Sequence, residues 1–440
     1  MTALAIDLPF TKRTLANGLD VIVHEDRRMP LVAVSVWYHV GSKNEQPGRT
    51  GLAHLFEHLM FKGSAHQPRT FFEPLQEAGG TLNGSTSTDR TNYWELVPAG
   101  AERLALWMEA DRMGWLLPAL TEASFTTERD VVLNERRQNY ENRPYGMAPL
   151  AIMSTMFPPG HPYHWPTIGY SDDIRAASLD DARSFFSRYY HPGNASLVIA
   201  GDVSAADAFA LAGELFGGIP AGPPVTAVAV PEVRAERRRI FFEDRIELPR
   251  LYLVWPSPAL FAADDAELDL VADLLANGRT SRLYRQLIHE RRIATELAAS
   301  QSSRELVSSF QIVATAAPGH TLDEVNAVIL DELRRVIDNG VTGDELDRGR
   351  AQAEAAFVYR LQSLGGFGGK SDQLNAYNVY RREPAYFDAD LQRYLSATTE
   401  GLQAAAARWL DPDRPLALSV VPRGAAGDAL SDSSPADGVR

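Results

Sequence analysis

Cysteine is absent from all 440 residues, which removes disulfides, thiolate metal ligands and a thiol nucleophile together. Any metal must then be held by His, Asp and Glu. No run approaches the roughly 18 apolar residues that span a bilayer. The opening stretch MTALAIDLPFTKR also lacks a basic segment leading into a long apolar core. A soluble, cytoplasmic protein is expected, or a periplasmic one if a leader preceded this sequence. Basic runs are missing too. With a net charge of −14, neither nucleic acid nor an anionic membrane surface is an expected partner. What is present is 45% hydrophobic and 23% charged residues, an ordinary globular composition in a chain longer than one core usually supports.

GLDVIVHED and PLVAVSVWYHVGS read as a strand hairpin across RRMP, followed by a helix from near Thr50 to Gly63. TLNGSTSTDRTNYWELVP carries a further strand signal, residues 100–118 an amphipathic helix, and TEASFTTERDVVLNERRQNYENRP a helix ended by Pro144. This alternation predicts α/β layers. RYYHPGNASLVIAGD at 188–202 is echoed by RWLDPDRPLALSVVP at 408–422, an offset of 220. VIVHEDRRMPLVAVSVW from Val21 is echoed by IFFEDRIELPRLYLVWP from Ile240, an offset of 219. Two matches at nearly one offset indicate a duplicated domain. The Gly- and Pro-rich segment between the halves reads as a linker. The expected division is 1–216, a linker at 217–236, and 237–440.

Inside TGLAHLFEHLMFKGS, His54, Glu57 and His58 sit among Leu52, Leu55, Phe56, Leu59 and Met60. On a helix, residues four apart share a face, so both imidazoles can reach one ion. Two imidazoles and one carboxylate from elsewhere form a catalytic zinc set with an open position for water, and a carboxylate that is not a ligand, here Glu57, can take the water's proton. The second half has DLVADLLANGR from Asp269 at the matching place. The fold therefore does not itself require the histidines. Glu135, with Glu128 two turns earlier on about the same helix face, offers a third ligand and a carboxylate that orients one, although other glutamates are equal candidates on the residues alone.

His–x–x–Glu–His with a glutamate after 76 further residues, here Glu135, resembles the pitrilysin-type (insulinase-type) zinc metallopeptidases. The likeness is to their short-chain class, which includes processing-peptidase beta subunits and bacterial relatives. The resemblance selects Glu135 as the third ligand of one zinc per chain and gives Glu128 a supporting role in catalysis. It implies duplicated ferredoxin-like α/β domains forming half of a clamshell around a chamber. It also implies peptide substrates that pair by strand addition with an edge strand at Asn83, Gly84, Ser85 and Thr86. Relatives often carry L-R-E-K-R-G-L-A-Y in the second half, whose Arg and Tyr stabilise the oxyanion. Here the stretch is LIHERRIAT, with Ile288 and Thr295 in those places. The implied arrangement is a heterodimer whose partner, a homologous subunit without HxxEH, supplies the pair. Two alternatives remain: a non-catalytic scaffold subunit of the same fold, and a protease dedicated to one leader peptide.

Two other motifs read as structural. GGFGGK at 365–370 lacks the Walker spacing and follows a helix, which suits a connector or chamber-lining loop. HPYHWP reads as a packed turn rather than a second metal site.

Overall fold

The computed structural model describes residues 8–436 and divides them into two compact units. The first holds the described residues up to Arg136 together with Trp165–Ala229 and Ala356–Ala389; the second holds Arg137–His164, Val230–Ala355 and the described residues from Asp390 on. These units differ from the halves expected from the duplication, because each half lends a segment to the other unit. The helix Lys370–Arg381 joins the first unit through Asn375, which donates to Ser35 O (2.9 Å), and Asn378, which donates to Ser196 Oγ (2.9 Å) and Asp20 Oδ2 (3.0 Å). The helix Ala148–Met156 joins the second by packing Ala148, Ala151 and Ile152 against Tyr252, Leu418 and Val420. No helix or strand occurs between 220 and 237.

The first unit is built on six strands: β1 (Thr11–Thr14), β2 (Asp20–Glu25), β3 (Leu31–Tyr38), β4 (Thr81–Thr86), β5 (Thr91–Pro98) and β6 (Ala195–Gly201), in the order β1-β2-β6-β3-β5-β4. The expected hairpin of β2 with β3 is not formed. β6 lies between them, parallel to β2 and antiparallel to β3, and β2 makes its hairpin with β1. The runs DVIV and LVAVSVWY are buried nearly throughout, as interior strands must be, and such continuous apolar runs do not say which neighbour they take. TLNGSTSTDRTNYWELVP forms two strands, β4 and β5, joined by a turn in which Ser87 N donates to Arg90 O at 2.9 Å. Helices α1 (Leu52–Leu59), α3 (Glu102–Ala119) and α4 (Glu122–Arg136) lie where the sequence predicts helices, although α4 gives way to a π-helical turn at Arg137–Glu141 before Pro144, and α2 (Phe72–Glu77) is a helix the sequence reading did not predict.

The second unit repeats this topology with β7 (Arg238–Asp244), β8 (Arg250–Ser257), β9 (Ala294–Ser302), β10 (Ser308–Ala316), β11 (Leu416–Pro422) and β12 (Ser434–Pro435), in the order β12-β7-β11-β8-β10-β9. Five strands correspond one to one with β2, β6, β3, β5 and β4. The helix Asp265–Ala276 packs on β9 as α1 packs on β4. The fold is thus mixed α/β with two duplicated six-stranded sheets. In HPYHWP, His161 is fully buried and stacked on Phe157, with ring centroids 4.8 Å apart, so the packed-turn reading matches the geometry.

Candidate metal centre

Helix α1 buries Leu52, Ala53, Leu55, Phe56 and Leu59 and leaves His54, Glu57 and His58 on its half-buried face. Its position is fixed at both ends. At the start, Gly51 takes φ +91°, and a Cβ there would stand 3.0 Å from Ile168 O and 2.9 Å from Ile174 Cγ1, so glycine answers both the backbone and the close approach. The buried Glu45 carboxylate accepts from Gly51 N and Ala53 N, both at 2.8 Å, which satisfies two amides that a helix start leaves open. At the far end the fully buried Arg112 donates to Met60 O at 3.4 Å. Arg112 pairs with Glu109 and with Glu95 (3.3 Å) and lies 3.9 Å over the rings of both Phe71 and Tyr93.

The two histidines turn their Nε2 atoms to one carboxylate oxygen. Glu135 Oε2, supplied by α4, is 3.7 Å from His54 Nε2 and 3.1 Å from His58 Nε2. The nearest ligand atoms of the three residues all fall within 4.8 Å of one another, the one such grouping among the described residues. Atoms about 2.0–2.1 Å from a tetrahedral ion stand about 3.3 Å apart, and the observed separations bracket that figure. Behind His58, Nδ1 lies 3.8 Å from Glu128 Oε2, while Glu128 Oε1 pairs with Lys62 Nζ at 2.9 Å. Glu128 therefore stands beside His58 rather than within the three-residue grouping.

Burial, then the neighbouring His58, pulls His54 down to about 4, which keeps its imidazole neutral with a lone pair to offer. Its Nδ1 is buried with no hydrogen-bond partner among the described residues. Burial lowers His58 as well, but the adjoining Glu135, with Glu57 and Glu128, outweighs it and holds His58 above the usual imidazole range. A proton shared with Glu135 thus sits where a divalent cation would compete for the same lone pairs. The donor set fits zinc.

Glu57 is not part of this grouping. Its Oε2 accepts from Thr86 Oγ1 on β4 at 2.6 Å, and burial raises its pKa against that hydrogen bond. Strand β4 ends the sheet, with no strand on its far side among the described residues. Since Ser87 and Arg90 form a hydrogen-bonded pair, the alternation of antiparallel pairs leaves the amides of Leu82, Gly84 and Thr86 facing the free edge. Gly84 N is capped by the Asn83 side chain, which accepts at 2.8 Å. In the second unit, Ile288 packs against the hydrophobic core and Thr295 is exposed at the start of β9. Neither is an Arg/Tyr counterpart. Sequence reasoning missed Glu45 and Arg112 as supports of α1; the polar run GSKNE at 41–45, just ahead of the helix, was a signal for the first, and an Arg within an apolar helix the signal for the second.

A two-unit α/β protein with His–x–x–Glu–His on one helix and a glutamate presented from a second helix is the architecture of an inverzincin-type metallopeptidase. Residues 20–161 match the family described as insulinase (peptidase family M16), and residues 176–353 match the peptidase M16 inactive domain. The zinc protease PqqE of Helicobacter pylori is 32% identical over 356 residues, covering 80% of each chain. The crystal structure of a protease from Helicobacter pylori superposes with a TM-score of 0.86 at 28% identity, over 95% of this chain and all of that one. The periplasmic protease PqqL from Escherichia coli gives 0.79 at 18% identity, over 97% of this chain but 50% of its own. The chain belongs to the insulinase-type M16 peptidase family.

Proposed function

We propose that this chain is a zinc-dependent endopeptidase acting on unfolded peptides and oligopeptides. One observation carries the reading: His54, His58 and Glu135 converge on one point, while Glu57, a carboxyl outside that set, is held beside them by Thr86. A zinc ion held by the three would lower the pKa of a bound water towards about 7 and polarise the scissile carbonyl. Glu57 accepts the water's proton on a carboxylate already oriented by the Thr86 hydroxyl, then returns it to the leaving amine. The burial that raises Glu57 suits both directions of transfer. Glu128 positions His58. The substrate strand adds to the free edge of β4 along Asn83–Thr86, which requires the Asn83 side chain to release Gly84 N.

The oxyanion donors expected of relatives are replaced by Ile288 and Thr295, and each such donor is worth roughly 3–4 kcal/mol in the transition state. We therefore place the chain as the zinc-bearing half of a heterodimer, with a homologous subunit supplying the Arg/Tyr pair across an enclosed chamber. The match to half the length of PqqL supports a working unit twice this size. The same two residues also favour a second reading, a non-catalytic core subunit; dedicated leader-peptide processing differs from the first reading in substrate breadth alone. A quenched-peptide assay with and without candidate partners, on the chain and on Glu57→Gln, separates these readings. Turnover that Glu57→Gln abolishes supports the peptidase. A zinc-loaded chain inert with every partner supports the scaffold.

A further inference from the structure

We propose that Phe367, with Trp94 beneath it, forms a subsite for a large apolar side chain of the peptide, about three residues from the cleaved bond. The inference rests on the strand-addition reading above and assigns a role to GGFGGK, which the zinc chemistry leaves unused. Its Lys370 is not available to a phosphate, being buried and paired with Asp26 at 2.5 Å.

The loop presents Phe367 rather than leaving it loose. Gly366 and Gly368 on either side take φ +84° and +75°, a conformation that other residues avoid, and a Cβ on Gly365 would press on Ala33 at 2.9 Å. Hydrogen bonds then tie the loop to the edge strand in three steps. Gly368 N donates to Asp372 Oδ2 at 2.8 Å, Asn92 Nδ2 donates to Asp372 Oδ1 at 3.0 Å, and Ser85 Oγ donates to Asn92 Oδ1 at 2.7 Å. Within this frame Phe367 is 50% exposed and meets Trp94 edge-on, with ring centroids 5.8 Å apart. The Trp94 indole N–H is out of solvent with no acceptor among the described residues.

Register fixes what would cover this surface. Trp94 pairs with Asn83, so it shares the sheet face of Asn83 and Ser85, whereas Thr86 and Gly84 turn to the α1 face. A strand added to β4 sends alternate side chains to each face. One that reaches the Phe367 side at Asn83 lies three residues from Thr86, about 10 Å at 3.3–3.4 Å per residue. Aromatic pairs of this kind favour another large apolar group.

The test uses the zinc-loaded full chain carrying Glu57→Gln, which binds without cleaving, and fluorescent peptides differing only in Phe or Ala at the third position on either side of the scissile bond. The expected result is a preference of about ten-fold for Phe at one of those positions. The preference should fall to near one in Phe367→Ala and be kept in Phe367→Tyr, with melting temperatures confirming that both variants fold. Equal binding of the Phe and Ala peptides, no binding of either, or a preference unchanged in Phe367→Ala overturns the subsite. Cleavage is assayed separately with Glu57 intact. Absence of cleavage there counts against the peptidase reading and leaves the binding preference to decide the subsite.

Discussion

The proposed function gives Glu57 and Glu135 different tasks, and substitution distinguishes them. Glu57→Gln is expected to keep zinc and lower turnover by roughly 10²–10⁴-fold, the usual weight of a positioned base, read by quenched-peptide cleavage. Glu45 makes a pH prediction. Burial pushes its pKa from 4.5 to about 8 against the two amides it accepts from, so the fold favours the protonated form. Its contribution is complete below about 4.5 and is lost as pH rises through about 8. The melting temperature of the chain should therefore fall over that interval relative to Glu45→Gln, which has no proton to lose. Arg292 offers the opposite kind of change. It takes φ +56° where the related pattern has Gly, so Arg292→Gly is expected to stabilise by about 1 kcal/mol, measurable by urea unfolding.

Elements show where reading the sequence succeeded and where it could not. Helix α1, with its three polar residues on one face, was predictable because helical spacing alone brings His54 and His58 together. Glu135 was not singled out by spacing; the family pattern chose it, and the geometry of α4 brings its Oε2 to both imidazoles. The β2–β3 hairpin failed because the strand that separates them, β6, is more than 150 residues away in sequence, and local patterns carry no information about such insertions. The lending of 356–389 to the first unit was hidden for the same reason. The supports of α1 give a prediction at this scale. Arg112→Ala leaves Glu95 and Glu109 buried without their cation, expected to destabilise by about 3–5 kcal/mol. Chemical denaturation measures it, and loss of zinc should accompany the loss of stability because Met60 O is released. At the edge, Asn83→Ala removes the cap on Gly84 N and should lower KM for extended peptides in quenched-peptide kinetics, because substrate addition along β4 needs that amide free.

At the scale of the molecule, duplication has left the His54, His58 and Glu135 grouping in the first unit, and the second holds no such grouping among the described residues. The two sheets share their strand order, but the helix that carries His54 and His58 in the first unit carries Asp269 and Asp273 in the second. There Asp269 accepts from Tyr394 at 2.7 Å, and burial raises it to about 7, a structural use of the same position. The proposed peptidase activity requires His54, His58 and Glu135 to hold zinc and Glu57 to stay outside the ligand set. Zinc content of the purified chain by mass spectrometry, compared across Glu57→Gln, His58→Ala and Glu135→Ala, tests it most directly. One zinc per chain in the parent and in Glu57→Gln, with loss in His58→Ala and Glu135→Ala, is the predicted result. Zinc retained by His58→Ala and Glu135→Ala, or lost from Glu57→Gln, would contradict the assignment.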